Sequence, residues 1–311
     1  MSGSVEAAAP AGRAVTFSVL LIALLAVAHA AIFVRLADAH PFTVAAYRLA
    51  IATLVLLPFA LPGLVRALPG LDRRRLAILA GAMFFLALHF ASWIASLDYT
   101  SIANSVVLVT LTPLWLALWS GLVLRVNPGR ATLGAVALAL AGTAIIGWGS
   151  FRLGGDTLYG DLLALIGGAT FAAYLLCAQS LRRTLDLLPF VTLVYGGAGV
   201  LMWLVVLGMA LPISGFSNTT WAALFALALI SQVIGHSGFN WAVKSIAPTF
   251  LALTILLEPV LSAVLGWLWF GEGVTPETWI GGALALAAVW LGSRAGKPGP
   301  AAAGKRMKRP V

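Results

Sequence analysis

The chain has 311 residues, 61% hydrophobic and 9% charged, with a formal net charge of +9 and a mean hydropathy of +1.01. A soluble domain carries about 25% charged residues, so this composition excludes a water-exposed surface and makes lipid the solvent. The basic excess lies in short loops and a tail, where it sets topology rather than nucleic-acid binding, and the single cysteine, Cys177, excludes an internal disulfide and any multi-cysteine metal site.

Residues 1–13 are rich in Ala, Gly and Ser and are expected to be disordered. Ten apolar runs follow, each long enough to cross a hydrocarbon core of about 30 Å as a helix. They cover 14–34, 42–62, 75–97, 101–124, 130–149, 158–181, 187–211, 219–243, 247–270 and 275–293. Ala28-His29-Ala30 imitates a signal-peptidase site, but the first run is longer than the apolar part of a signal peptide, and its removal would leave nine spans. Residues 294–311 form a basic tail. With the N-terminus in the cytoplasm, cytoplasmic segments collect sixteen Lys and Arg against two, Arg35 and Arg152, outside. That bias supports the span count and puts both termini inside.

The chain repeats itself. Pro41-Phe42 with Tyr47 returns as Pro189-Phe190 with Tyr195, Ala137–Gly142 returns as Ala283–Ala288, and Thr112-Pro113 answers Glu258-Pro259. A near-constant offset divides the chain into two five-span halves, 14–149 and 158–293. Five is odd, so the second half enters the membrane upside down. The expected fold is therefore all-α and integral to the membrane, ten helices in two inverted repeats, with a substrate site where the halves meet. Gly134 and Gly142 on the fifth span, Gly196, Gly197 and Gly199 on the seventh, and Gly281, Gly282 and Ala285 on the tenth are expected at close helix contacts. Trp148, Trp221, Trp269 and Trp279 fall at span ends, as an interfacial aromatic belt would.

Polar groups inside the spans need a reason, since an ionised side chain at a span centre costs at least about 2.5–3.5 kcal/mol. His89 and Trp93 share a face of the third span, and Gln232, His236 and Asn240 share a face of the eighth. Two histidine-bearing stripes in corresponding helices point to a cavity, where imidazole can both donate and accept. Asn104 and Thr112 make the fourth span partly polar, and Trp115 and Tyr174 are candidate aromatic walls. Glu258 is either a proton- or substrate-binding carboxylate or a carboxyl bonded to a neighbouring helix. Pro113 and Pro259 are candidate hinges. Arg48 is expected to snorkel outward or to pair with Asp38 or Asp98.

Five-helix halves, Tyr47-Arg48 in the second span, Glu258-Pro259-Val260 in the ninth, and Phe270-Gly271-Glu272 before Val274-Thr275-Pro276 resemble the EamA-type members of the drug/metabolite transporter superfamily, over residues 14–293. The first half carries Leu124–Pro128 where that pattern has a Gly-Glu pair. Within the superfamily, His89, Trp93 and the Asp98–Ser101 turn are similar to YddG-type exporters of aromatic amino acids. The resemblance implies a basket-like fold and a cell inner-membrane exporter of aromatic or other amino acids, working by alternating access. His89, Trp93, Trp115, Tyr174, Gln232 and His236 are then the expected substrate contacts. The chain is expected to act as a monomer, without cofactor or metal, and not as an enzyme. An EamA transporter of another metabolite class and a membrane-embedded lipid-modifying enzyme are the alternatives. Against the enzyme, no HExxH, paired-Asp metal motif or nucleophile elbow is present and the loops are short; the lack of a GxxxxGK[ST] loop argues against direct coupling of transport to ATP.

Overall fold

The computed structural model describes residues 13–122, 129–148, 155–271 and 276–295. Expectations for the N-terminal residues, for 124–128, Arg152 and Glu272, and for the tail beyond Ala295 lie outside the described residues.

Among the described residues every regular element is helical. In chain order they are α1 (Arg13–Ala28), α2 (Ala30–Leu36), α3 (Pro41–Ala67), α4 (Arg73–Ser96), α5 (Ile102–Val109), α6 (Thr112–Leu122), α7 (Arg130–Trp148), α8 (Gly155–Leu181) and α9 (Leu187–Gly208). There follow α10 (Asn218–Ala226), a π-helix (Leu227–His236), α11 (Ser237–Ala242), α12 (Pro248–Ile255), α13 (Glu258–Phe270) and α14 (Pro276–Ala295). Laid end to end, they make seven segments long and apolar enough to cross a membrane. Three shorter apolar helices, Ile102–Leu116, Arg130–Ile145 and Trp279–Ala288, accompany them.

Local chemistry sets the ends. Asp72, Ser101 and Ser217 accept from the backbone N–H three residues on, at 2.8, 3.1 and 3.1 Å. Pro41 and Pro248 open helices where a missing N–H costs nothing. Gly271, at φ 70°, takes the left-handed turn that closes α13.

The outer surface is apolar: Phe17, Leu54, Phe59 and Val65 are each about 70% exposed. The interior holds Arg48, Asn104, Asp161, Gln232 and Asn240, all buried. That is the reverse of a water-soluble protein and what lipid demands. Packing is close at Gly142 and Gly197 but not at Gly134, whose added Cβ would meet only a Leu291 methyl at 3.8 Å. A Cβ on Gly142 of α7 would meet the Gly281 carbonyl of α14 at 2.6 Å, and one on Gly197 of α9 would run into the Met83 sulfur of α4. Trp269 and Trp279 are more than half exposed, as a belt requires. Trp221 instead packs edge-on against Tyr47 and Phe216.

Helix α3 lies along α9, α4 along α8, and α7 along α14. The π-helix packs on α1 and α3, α4 also meets α9, α13 meets α1, and α5 and α6 meet α8. Helix α5 touches α13 while α6 touches α12, so the fourth and ninth segments cross in opposite directions.

Candidate functional site

Three of these segments are interrupted. The first breaks at His29, the fourth at Thr110-Leu111, and the ninth at Leu256-Leu257. Pro113 and Pro259 explain two of the breaks: neither has an N–H for the carbonyl four residues back. In the fourth segment the freed Val109 carbonyl accepts instead from the Thr112 hydroxyl at 3.0 Å. In the first, the Ala26 and Ala28 carbonyls accept from Ser231 at 2.9 Å and Ser262 at 3.1 Å. Such breaks are tolerated in lipid only where protein or water satisfies the backbone.

The breaks surround one cavity of about 30 Å³, lined among others by Ala30, His89, Trp93, Thr110, Phe171, His236 and Glu258. Both halves contribute. Room for about two waters is too little for an aromatic metabolite, so the cavity must widen to admit one. His89 and His236 face each other with ring centroids 6.2 Å apart. Trp93 stacks on His89 at 6.3 Å, and Phe171 lies 4.7 Å from His89 and 5.6 Å from His236. His89 Nδ1 lies 2.9 Å from the Gly167 carbonyl. A carbonyl only accepts, so Nδ1 carries a hydrogen and Nε2 is left for a ligand. Glu258 opens α13, where a helix N-terminus favours negative charge.

The expected contacts separate into two groups. His89, Trp93, His236 and Glu258 line the cavity, and Pro113 and Pro259 flank it at the breaks. Tyr174, Gln232 and Trp115 do not line it. The Tyr174 hydroxyl donates to Asn240 at 2.6 Å, in a network that runs on to Tyr195 and Ser237. Trp115 is half-buried, and its indole N–H has no partner. The polar stripe of the eighth segment thus serves three neighbours: Gln232 reaches α3, His236 the cavity, and Asn240 bridges Tyr174 of α8 and Tyr195 of α9. A π-helix through Leu227–His236 changes the stagger that α-helical spacing implies.

Arg48 corrects the sequence reading. It neither snorkels nor pairs with Asp38 or Asp98. It is fully buried, and Nε donates to Gln232 Oε1 at 2.6 Å. Its Cζ lies 3.9 Å from the Phe90 ring centroid and 6.0 Å from that of Trp93. Depth along a helix does not say which way a side chain points, and here the face turned inward. Phe171 and Asp161 were also missed. Asp161 is a buried carboxylate that accepts from Thr100 at 2.9 Å and Asn104 at 3.2 Å, tying α8 to the α4–α5 turn. Its signal was available: a charge inside an apolar run.

A model of the EamA-like transporter family matches residues 16–148 and 158–294. An uncharacterized transporter of Archaeoglobus fulgidus is 26% identical over 283 residues, 89% of this chain and 96% of that one. The uncharacterized transporter YdfC of Bacillus subtilis is 25% identical over 273 residues, 87% of each chain. A riboflavin transporter of Rhizobium johnstonii is 29% identical over 212 residues, 65% of each. A crystal structure superposes with a TM-score of 0.73 at 19% identity, over 92% of this chain and 100% of the other, and bears on the fold alone.

Proposed function

This chain belongs to the EamA-like transporter family, and on that premise we propose that it moves aromatic amino acids and related small metabolites out of the cell across the inner membrane by alternating access. The observation that carries the reading is the cavity at which the three helix breaks converge. Its walls are aromatic and imidazole rings drawn from both halves, suited to a flat ring with polar substituents.

The mechanism needs two halves that can exchange roles. Helix packing supports this. Number the segments one to ten and swap each with the one five places on. The third–sixth contact then becomes eighth–first, third–seventh becomes eighth–second, and fourth–sixth becomes ninth–first; each of these pairs is packed. Second–seventh, fourth–ninth and fifth–tenth map onto themselves. The breaks at residues 110–111 and 256–257 fall at the same offset, and the two broken segments cross antiparallel, as an inverted pair would. Rocking about the breaks would open the cavity to one face and then the other. The excess of Lys and Arg in alternate loops supports cytoplasmic termini.

A second reading has its own support: the Rhizobium johnstonii relative is named for riboflavin, a larger aromatic heterocycle. Proteoliposomes separate the two. Flux of labelled L-tryptophan or L-phenylalanine that exceeds riboflavin flux, above protein-free vesicles, is the expected result. Riboflavin flux alone would transfer the assignment to the second reading, and flux of none would remove both.

A further inference from the structure

Donors without acceptors gather beside the cavity. Arg48 Nη1 and Nη2, Gln232 Nε2 and Trp93 Nε1 are all buried, and none has a hydrogen-bond partner. Arg48 bonds through Nε to the Gln232 oxygen, which fixes the amide's orientation and sets its NH2 beside the guanidinium. Trp93 brings its indole within reach, 6.0 Å from Cζ to ring centroid. No carboxylate among the described residues pairs with Arg48. Phe90 covers one face of the guanidinium, leaving its edge as the polar surface. Glu258 is near enough to attract the Arg48 charge but bonds none of its N–H groups, so the guanidinium edge keeps donors without an acceptor, which is strongly unfavourable inside an apolar bundle and calls for a ligand acceptor. Every orphaned group is an N–H donor, and the arginine edge is a planar fork. An acceptor-only, planar, bidentate anion fits that pattern.

We propose that Arg48, Gln232 and Trp93 form a carboxylate-binding subsite, so that the transported molecule is anionic or zwitterionic at the end that enters it. The subsite rests on the transport reading for its purpose and deepens it. The ring of the substrate occupies the imidazole-walled cavity, and its carboxylate engages the fork once the halves rearrange. One ring links Arg48 to the cavity: Phe90 lies 3.9 Å from the guanidinium carbon and packs on both His89 and His236.

Two measurements test this separately from the transport reading. In proteoliposomes, L-tryptophan is expected to move roughly tenfold or more faster than tryptamine, which lacks only the carboxylate. Arg48→Met is expected to lower L-tryptophan flux by a similar factor. Trp93→Phe, which keeps a ring and deletes the N–H, is expected to raise the half-saturating concentration several-fold. In detergent, millimolar benzoate is expected to raise the Tm of the full-length protein, where neutral benzamide does not. Arg48→Met should abolish that response and, without ligand, unfold at a higher temperature than the wild type. Equal flux of L-tryptophan and tryptamine, unaltered by Arg48→Met, overturns the subsite and leaves transport standing. No flux of either indole with an Arg48-dependent benzoate response rejects indole transport and keeps the subsite. A wild type indifferent to benzoate, with Arg48→Met less stable, reduces Arg48 to a packing strut and ends the proposal. Should Arg48→Met not fold, an unchanged half-saturation in Trp93→Phe is the overturning result.

Discussion

At the scale of single residues, the cavity makes sharp demands. His89 presents Nε2 because Nδ1 is held by the Gly167 carbonyl, and His236 faces it from the other half. Removing either ring takes away a polar contact and opens space that water can fill. His89→Ala and His236→Ala are each expected to lower substrate flux roughly tenfold. His89→Phe, which keeps the stack on Trp93, should recover the packing but not the flux. Unaltered flux in both alanine variants would dissociate the cavity from transport. Glu258→Gln separates driving force from binding: loss of flux driven by a pH gradient, with substrate exchange retained, is the outcome expected if this carboxyl carries the proton. The histidines were legible in the sequence because a polar residue in an apolar run always needs a reason. Arg48 was legible as a position but not as a role. Its partner Gln232 stands 184 residues away, and nothing in either segment alone says that they meet.

At the scale of elements, helix placement was legible and helix irregularity was not. Apolar run length fixes where a rod begins and ends, so the run at 75–97 and the helix Arg73–Ser96 nearly coincide. Pro113 and Pro259 announced two breaks. The break at His29 has no proline, and the π-helix at Leu227–His236, which packs on α1 and α3, leaves no mark in hydropathy. Two tests belong here. Pro113→Ala and Pro259→Ala restore the missing N–H, letting α5 join α6 and α12 join α13. A stiffer segment should slow flux several-fold while raising or preserving Tm; faster flux would remove these prolines as hinges. The α7–α14 contact is the second. Gly142→Ala drives a Cβ to 2.6 Å from a backbone oxygen that cannot turn aside, whereas Gly134→Ala meets only a Leu291 methyl at 3.8 Å. The first is expected to cost about 1–3 kcal/mol and the second close to nothing, read as the difference in Tm between the two variants.

At the scale of the whole molecule, the question is direction. Two copies of an odd number of spans must enter the membrane oppositely, and an even total then returns the chain to the side where it began. The antiparallel crossing of the fourth and ninth segments and the paired breaks both suit that arrangement, but neither fixes which side is which. The charge bias does so: Arg66 in the last turn of α3 and Arg73, Arg74 and Arg75 in the first turn of α4 sit where the second and third segments meet, and Arg182 and Arg183 lie between α8 and α9, where the cytoplasm should be. Epitope tags fused to both ends are therefore expected to resist protease in right-side-out vesicles and to be removed together from inside-out ones. The lone Cys177 permits a finer check. With Cys177→Ser as background, a cysteine placed at Ser214, between α9 and α10, should react with an impermeant maleimide from outside, and one placed at Ser245, between α11 and α12, only from inside. Tags on opposite faces would require an odd number of crossings. An odd total cannot divide into two halves of equal span number, so the halves could not exchange roles and the alternating mechanism would lose its physical basis.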